Sequence, residues 1–319
     1  MKSFVVTVIA FLLGTLSSGA QDWPAKPVHI IVPFAAGATP DLVARLLADR
    51  LHDQLGQPFI VENRPGASGN TGTDAVAKAA PDGTTLGISI GGPLAINTLL
   101  FADLPYDPKK DLTLITTLVT QPSALAVNTK LGVNSVPELL DLIRRNPGKY
   151  NYGSIGTGSL SQLAMEALAE KSGTRLVHIP YPSSPQAVTA LIRDDVQMVC
   201  LPAISVTPQL KGGAIKLLAI STAQRSPLLP GVPTLREFGI DVQADAWMGL
   251  IGPAGLPPAM IERINRLATE TITSPAVRER LAPQLMEPIP STPAEFRARV
   301  AADIARWQPV IAAANIKIK

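Results

Sequence analysis

The chain of 319 residues is 46% hydrophobic and 17% charged, long enough for two packed cores and too apolar for a disordered polymer. A formal charge of +3, with no basic run interleaved with aromatics, gives no argument for a nucleic-acid partner, and none is expected. Cys200 is the single cysteine, which excludes an intrachain disulfide, and the three histidines lie scattered without the spacing of a metal site.

Residues 1–20 have the layout of a removable leader, with Lys2 as the positive region, Phe4–Leu13 as the apolar region and Ser18-Gly19-Ala20 as a small-residue cleavage site. The apolar core is short of the ~20 residues a membrane span needs, so cleavage after Ala20 is expected, an uncleaved anchor being the alternative. Val28–Val32 is an apolar, β-branched run that predicts a buried parallel strand, stopped by Pro33. A loop of small residues follows, Ala35-Ala36-Gly37-Ala38. Thr39 as N-cap and Pro40 as first helical residue then open a helix buried through Leu42, Val43, Leu46, Leu47 and Leu51. Strand, small loop and helix N-terminus in that order make an anion-receptive corner, or else an ordinary βα unit without a ligand.

Phe59–Val61 predicts a second buried strand, Asn70–Ala79 a helix capped by Asn70, and Thr84–Ile90 a strand entered through the Pro81-Asp82-Gly83 turn. Leu94–Leu100 is expected to be helical, with Leu112–Val119 and Ala124–Val127 extended. Ser135 caps a helix that ends at Asn146-Pro147-Gly148. The second half repeats the alternation: strands at Tyr150–Gly153, Leu176–Ile179, Val196–Leu201 and Ile215–Ser221, with helices at Ser159–Lys171 and Pro185–Ile192. A strand at Ala246–Ile251 precedes three helices that each begin near a proline, Pro257–Ile272, Pro275–Ala282 and Pro293–Ala313. Repeated βα units imply α/β architecture with mostly parallel sheets, and the length suits two of them.

Three loops carry the candidate chemistry. Phe34–Asp41, Ser89–Pro93 and Ser154–Ser161 contain no Lys, Arg or His, so an anion bound there would be held by backbone amides, hydroxyls and helix dipoles. The residues singled out are Phe34, Ala36, Gly37, Ala38, Thr39, Asp41, Ser89, Gly91, Gly92, Thr157, Gly158, Ser159 and Tyr181. Asp41 is either a dipole-complementing acid or a partner for a ligand amine, hydroxyl or water. Tyr181 and Trp247 each follow the same logic of cleft flank or plain core. Gly87-Ile88-Ser89-Ile90-Gly91 satisfies G-x-S-x-G in a strand-to-helix context, so a serine esterase using Ser89 is the enzymatic alternative. It would need His178 as its base, and His178 lies inside a predicted strand. Glu62 pairs with Arg64 or acts as an acid, and Cys200, at the end of an apolar run, reads as a buried inert thiol.

The ordered set Val32-Pro33-Phe34, Val61-Glu62-Asn63-Arg64-Pro65-Gly66-Ala67, Pro81-Asp82-Gly83, Ala95-Ile96-Asn97, Leu104-Pro105-Tyr106-Asp107-Pro108, Tyr152-Gly153-Ser154, Gly158-Ser159, Pro180-Tyr181, Val232-Pro233-Thr234-Leu235 and Trp247-Met248-Gly249-Leu250 resembles the solute-binding proteins of tripartite tricarboxylate transporters, the Bug family. The resemblance runs from about Trp23 to the C-terminus. It implies a type II-like periplasmic binding fold: two α/β lobes, 21–123 with 245–319 and 124–244, joined by a hinge and closing on a ligand. It further implies a periplasmic, non-enzymatic receptor without cofactor, capturing a small organic carboxylate for the permease subunits of a secondary transporter; no metal site is expected from the scattered histidines, and a monomer is the default expectation. A ligand-sensing partner of a signalling system is the other reading. Against the family pattern, Gly37 is followed by Ala38 where a second glycine is usual, Gln162 replaces a histidine, Tyr181-Pro182-Ser183 replaces Tyr-x-Gly, and an acid is missing near Cys200.

Overall fold

The computed structural model describes residues 23–318, so the leader and its cleavage site lie outside the described residues. Its first part runs β1 (Val28–Val32), α1 (Thr39–Leu55), β2 (Phe59–Asn63), α2 (Asn70–Ala77), β3 (Thr85–Ile90), α3 (Asn97–Leu100) and β4 (Leu112–Gln121). The second runs β5 (Ser123–Asn128), α4 (Val136–Arg145), β6 (Asn151–Ser154), α5 (Leu160–Ser172), β7 (Val177–Pro180), α6 (Ser184–Arg193), β8 (Met198–Pro202), α7 (Ala203–Val206) and β9 (Ile215–Ile220). The last comprises β10 (Ala246–Pro253), α8 (Pro258–Thr273), α9 (Pro275–Leu281), β11 (Glu287–Pro288) and α10 (Pro293–Ala313).

The strands form two sheets, ordered β11-β4-β10-β3-β1-β2 and β7-β6-β8-β5-β9. In the first, β1 to β4 run one way and β10 and β11 the other; in the second only β5 runs against the rest. The two-period of a strand explains why helices cover both faces. Val28, Ile30 and Val32 pack with Val43, Leu47 and Leu51 of α1, whereas Ile31 packs with Val76 of α2 and with Trp247 and Phe296. In the second sheet Leu125 and Val127 meet α4 and α5, while Ala124 and Ala126 meet α6.

The chain passes between the sheets at two adjacent places. β4 ends at Gln121, Pro122 interrupts the extended run because it has no N–H to donate, and β5 begins at Ser123. On the return, the Ala244 amide donates to Ser221 O and Ser123 Oγ donates to Ala244 O at 2.7 Å. Ala246 then pairs with Gln121 in the first sheet. A third link is α10. Phe296 and Val300, near its start, pack against the first sheet, while Trp307, Val310 and Ile311 join the core of the second, with Pro309 inside the helix between Trp307 and Val310.

Four local expectations change. β2 is an edge strand, and Ile60 is 42% exposed because no neighbour covers its outer side. Thr39 is the first residue of α1, not its cap: Ala38 precedes the helix in an extended conformation (φ −69°, ψ 160°), which a Cβ tolerates, and only Gly37 (φ 82°) takes the left-handed region. Asn70 is not a cap either, since its Oδ1 accepts from Asn97 Nδ2 at 2.6 Å and from the Tyr106 hydroxyl at 3.0 Å. The two-residue strand β11 has no periodicity to betray it and forms only by pairing with β4.

Candidate ligand-binding site

The strand ends and crossings converge on one cleft of about 410 Å³ between the two sheets. Its floor is the paired crossing itself, Gln121, Ser123, Asp245 and Ala246. One wall comes from the first sheet, through Phe34, Ala38 and Thr39 after β1, and Gly91 and Gly92 after β3. The opposite wall is the start of α5, with Thr157, Gly158 and Ser159. Apolar side chains fill the space between these corners, among them Ile90, Trp247, Met248, Leu160 and Ile318. No Lys, Arg or His side chain lines it among the described residues.

The other residues singled out from the sequence lie elsewhere. Ala36 and Gly37 are exposed at the tip of the first loop, outside the lining. Asp41 is buried and spent on structure: Oδ2 accepts from the Gly37 amide (2.9 Å) and Arg45 Nε (3.0 Å), and Oδ1 from Arg45 Nη2 (2.9 Å) and Asn63 Nδ2 (2.9 Å). Burial alone would raise its pKa, but the bonds from Arg45, Gly37 and Asn63 prevail and hold the carboxyl below the usual range. Asn63 Nδ2 also donates to Phe34 O at 3.0 Å, so Asp41 is a strut that shapes the loop without touching the cleft.

Ser89 is fully buried, its Oγ 3.2 Å from Thr73 Oγ1. His178 belongs to the other sheet, where its Nε2 lies 2.6 Å from Ser154 Oγ and its ring stacks on Tyr152. The G-x-S-x-G serine therefore has neither an imidazole nor an open face. Tyr181 packs behind β6, its amide donating to Ser154 O at 2.9 Å, and does not line the cleft. Glu62 carries an ion pair to Arg64 (2.8 Å) and meets His29 Nδ1 at 2.5 Å on the surface of edge strand β2. Cys200 is buried, and burial pushes its thiol up to about 12.

The start of α5 differs from the expectation of a bare glycine cradle. Gln162 Oε1 accepts the Gly158 amide at 2.8 Å, and Ser154 Oγ accepts that of Gly156 at 3.1 Å. Ser159 caps the helix, its hydroxyl accepting from Gln162 N and donating to Gly156 O at 2.6 Å. Ser161 Oγ accepts from Ile155 N at 3.0 Å. The loop is thus tied by neutral groups, and the Leu160 and Ser161 amides, the first two of the helix, keep no partner within the described residues. These amides, with the positive end of the α5 dipole, are what this wall can offer an anion. Gly158 is held at φ 76°, and a Cβ there would lie 2.6 Å from Leu100 Cδ1 and 3.0 Å from Ile318 Cδ1, so the two sides of the cleft touch at this glycine.

Sequence reasoning missed the acidic floor. Asp245 Oδ2 accepts from Thr120 Oγ1 at 2.5 Å and from Arg299 Nη2. Asp303, on α10, accepts from Trp247 Nε1 at 2.7 Å and from Arg306 Nη1 at 2.6 Å, and burial raises its pKa despite both partners. Asp245 stands beside the flagged Trp247, a usable signal; Asp303 lies on a helix with nothing in its neighbours to mark it.

The Tripartite tricarboxylate transporter family receptor (TctC) pattern matches residues 43–316. The chain is similar to protein BugT of Bordetella pertussis, 35% identical over 302 residues covering 94% of this chain and 93% of the relative. Among solved structures, Rhodopseudomonas palustris Rpa4515 with adipate is 33% identical with a TM-score of 0.80, over 93% of this chain and 99% of that one. MatC from the same organism, with bound malate, is 30% identical with a TM-score of 0.74, over 91% and 100%. A pattern spanning most of the chain and relatives matched almost end to end lead to one assignment: the chain belongs to the tripartite tricarboxylate transporter receptor family, the solute-binding Bug proteins.

Proposed function

We propose that this receptor captures a small organic carboxylate in the cleft between its two sheets, outside the cytoplasmic membrane after loss of residues 1–20, and delivers it to membrane permease subunits as a monomer. The observation that carries the reading is the convergence of the α1 and α5 N-termini on one cleft without a cationic lining side chain. Backbone amides and helix dipoles each contribute modestly, which suits capture and release better than bond breaking. Two relatives of the same fold hold adipate and malate, both carboxylates. Residues 21–123 with 245–319 would move as one lobe and 124–244 as the other, closing about the Gln121–Ser123 and Ala244–Ala246 crossings.

The test is thermal unfolding of the chain from Gln21 onward against mono-, di- and tricarboxylates, aromatic acids and acidic amino acids. A bound acid at ~100-fold excess over Kd should add about 2.7 kcal/mol of stability. A panel in which no carboxylate raises Tm would reject the reading.

A further inference from the structure

We infer that the cleft selects a carboxylate that also carries a hydrogen-bond donor, an ammonium or a hydroxyl group, and that Asp245 reads it; this rests on the carboxylate reading above. Asp245 is held rigidly. Its neighbours Ala244 and Ala246 are tied to Ser221, Ser123 and Gln121 at the crossing, so the side chain leaves a fixed backbone. Its side chain is 16% exposed and forms part of the cleft floor. Thr120 and Arg299 both donate to Oδ2, whereas Oδ1 has no donor among the described residues. Oδ1 therefore lies open to the cleft as an acceptor that no protein group occupies, and an incoming N–H or O–H can bond to it.

Asp303 differs in kind. Both of its oxygens are taken, by Trp247 and Arg306, so it offers the floor no free acceptor. Each of the two aspartates is paired with an arginine behind it, so the floor presents carboxylate oxygens, and no cationic lining side chain, to a second ligand carboxylate. A donor there meets a vacant acceptor instead. The ligand carboxylate is left to the Leu160 and Ser161 amides on the opposite wall.

Matched six-carbon acids test this directly on the chain from Gln21 onward: hexanoate, 6-hydroxyhexanoate, 6-aminohexanoate and adipate, with leucine, 2-hydroxy-4-methylpentanoate and 4-methylpentanoate covering a donor close to the carboxylate. Calorimetric Kd values should favour at least one donor-bearing acid tenfold or more over both its unsubstituted partner and adipate, and the hydroxyl and ammonium arms tell which donor is read. In Asp245→Asn that preference should shrink to within threefold. The wild-type ratios decide the matter even if the variant does not fold. Equal or tighter binding of unsubstituted acids or of adipate overturns the inference and leaves the carboxylate reading standing. A preference that survives Asp245→Asn unchanged overturns the role of Asp245. No binding by any acid overturns the carboxylate reading, and the inference with it.

Discussion

The two walls of the cleft are built from similar sequence and braced by different physics. Phe34–Thr39 and Ser154–Ser161 both follow a strand, contain small residues and lead into a helix. The first is braced by charge, with Asp41 in the opening turn of α1 collecting Gly37, Arg45 and Asn63. The second is braced by neutral hydroxyls and an amide, through Ser154, Ser159, Ser161 and Gln162. A carboxylate at a helix start already satisfies part of the local positive potential, so the α1 end has less to offer an anion than the α5 end. On the carboxylate reading proposed above, the contrast would put the ligand carboxylate chiefly at α5, with α1 as a rigid counter-wall.

The largest expected effect is that of Asp41→Ala. Removing it leaves the Asn63 amide and the Gly37 N–H without their acceptor, while the half-exposed Arg45 recovers its bonds from water, so urea unfolding should lose about 2–3 kcal/mol. Because the folded carboxyl is held below its unfolded pKa, the wild-type contribution is complete above about pH 4 and disappears as pH falls through the folded value. A variant as stable as wild type at pH 7 would remove the strut.

Gly158→Ala comes next. Its left-handed backbone and the contacts of a new Cβ with Leu100 and Ile318 should cost about 1–2 kcal/mol and weaken ligand binding. Gly37→Ala shares the left-handed backbone but meets nothing within 4 Å, so it should cost about 1 kcal/mol with less effect on binding. Equal losses of affinity in the two, measured by calorimetry, would mean that the walls do not meet at Gly158.

Gln162→Glu transfers the charge of the first brace to the second. The carboxylate can still accept from Gly158 N, so stability should change by under about 0.5 kcal/mol, yet carboxylate affinity should fall about tenfold because an acid now competes at the helix start. Unchanged affinity would take the ligand away from α5.

The smallest effect concerns pH. Burial holds the His178 imidazole below its ordinary pKa, so its neutral form belongs to the folded state. The stability tied to it is present above the unfolded pKa of about 6.5 and lost as pH falls below it, ahead of the first wall's loss below about pH 4. His178→Gln should flatten the Tm profile between pH 7 and 5, and an unaltered profile would separate His178 from the second brace.

Much of the fold was legible in the sequence because its signals are local. The Val28–Val32 run, the Ser135 and Ser159 caps and the prolines opening α8, α9 and α10 each act within a few residues, and each element formed where they stand. The candidate site was legible at its corners, since Thr39, Gly91, Gly92 and Gly158 mark strand-to-helix turns that line the cleft. Ser89 and Asp41 misled for the same reason: a motif or a first-turn acid looks identical whether its side chain faces a cavity or a neighbouring helix.

The order of strands and helices, their ends and the small-residue corners are properties of short segments, set by side-chain period, backbone restriction and capping. Which strand became an edge, which serine was sealed by Thr73, and the meeting of Thr120, Asp245 and Arg299 in the cleft floor were decided only in three dimensions. Burial and hydrogen-bond saturation depend on partners from 16 residues away, as for Thr73 and Ser89, to 125, as for Thr120 and Asp245, and no local pattern records which of them will arrive.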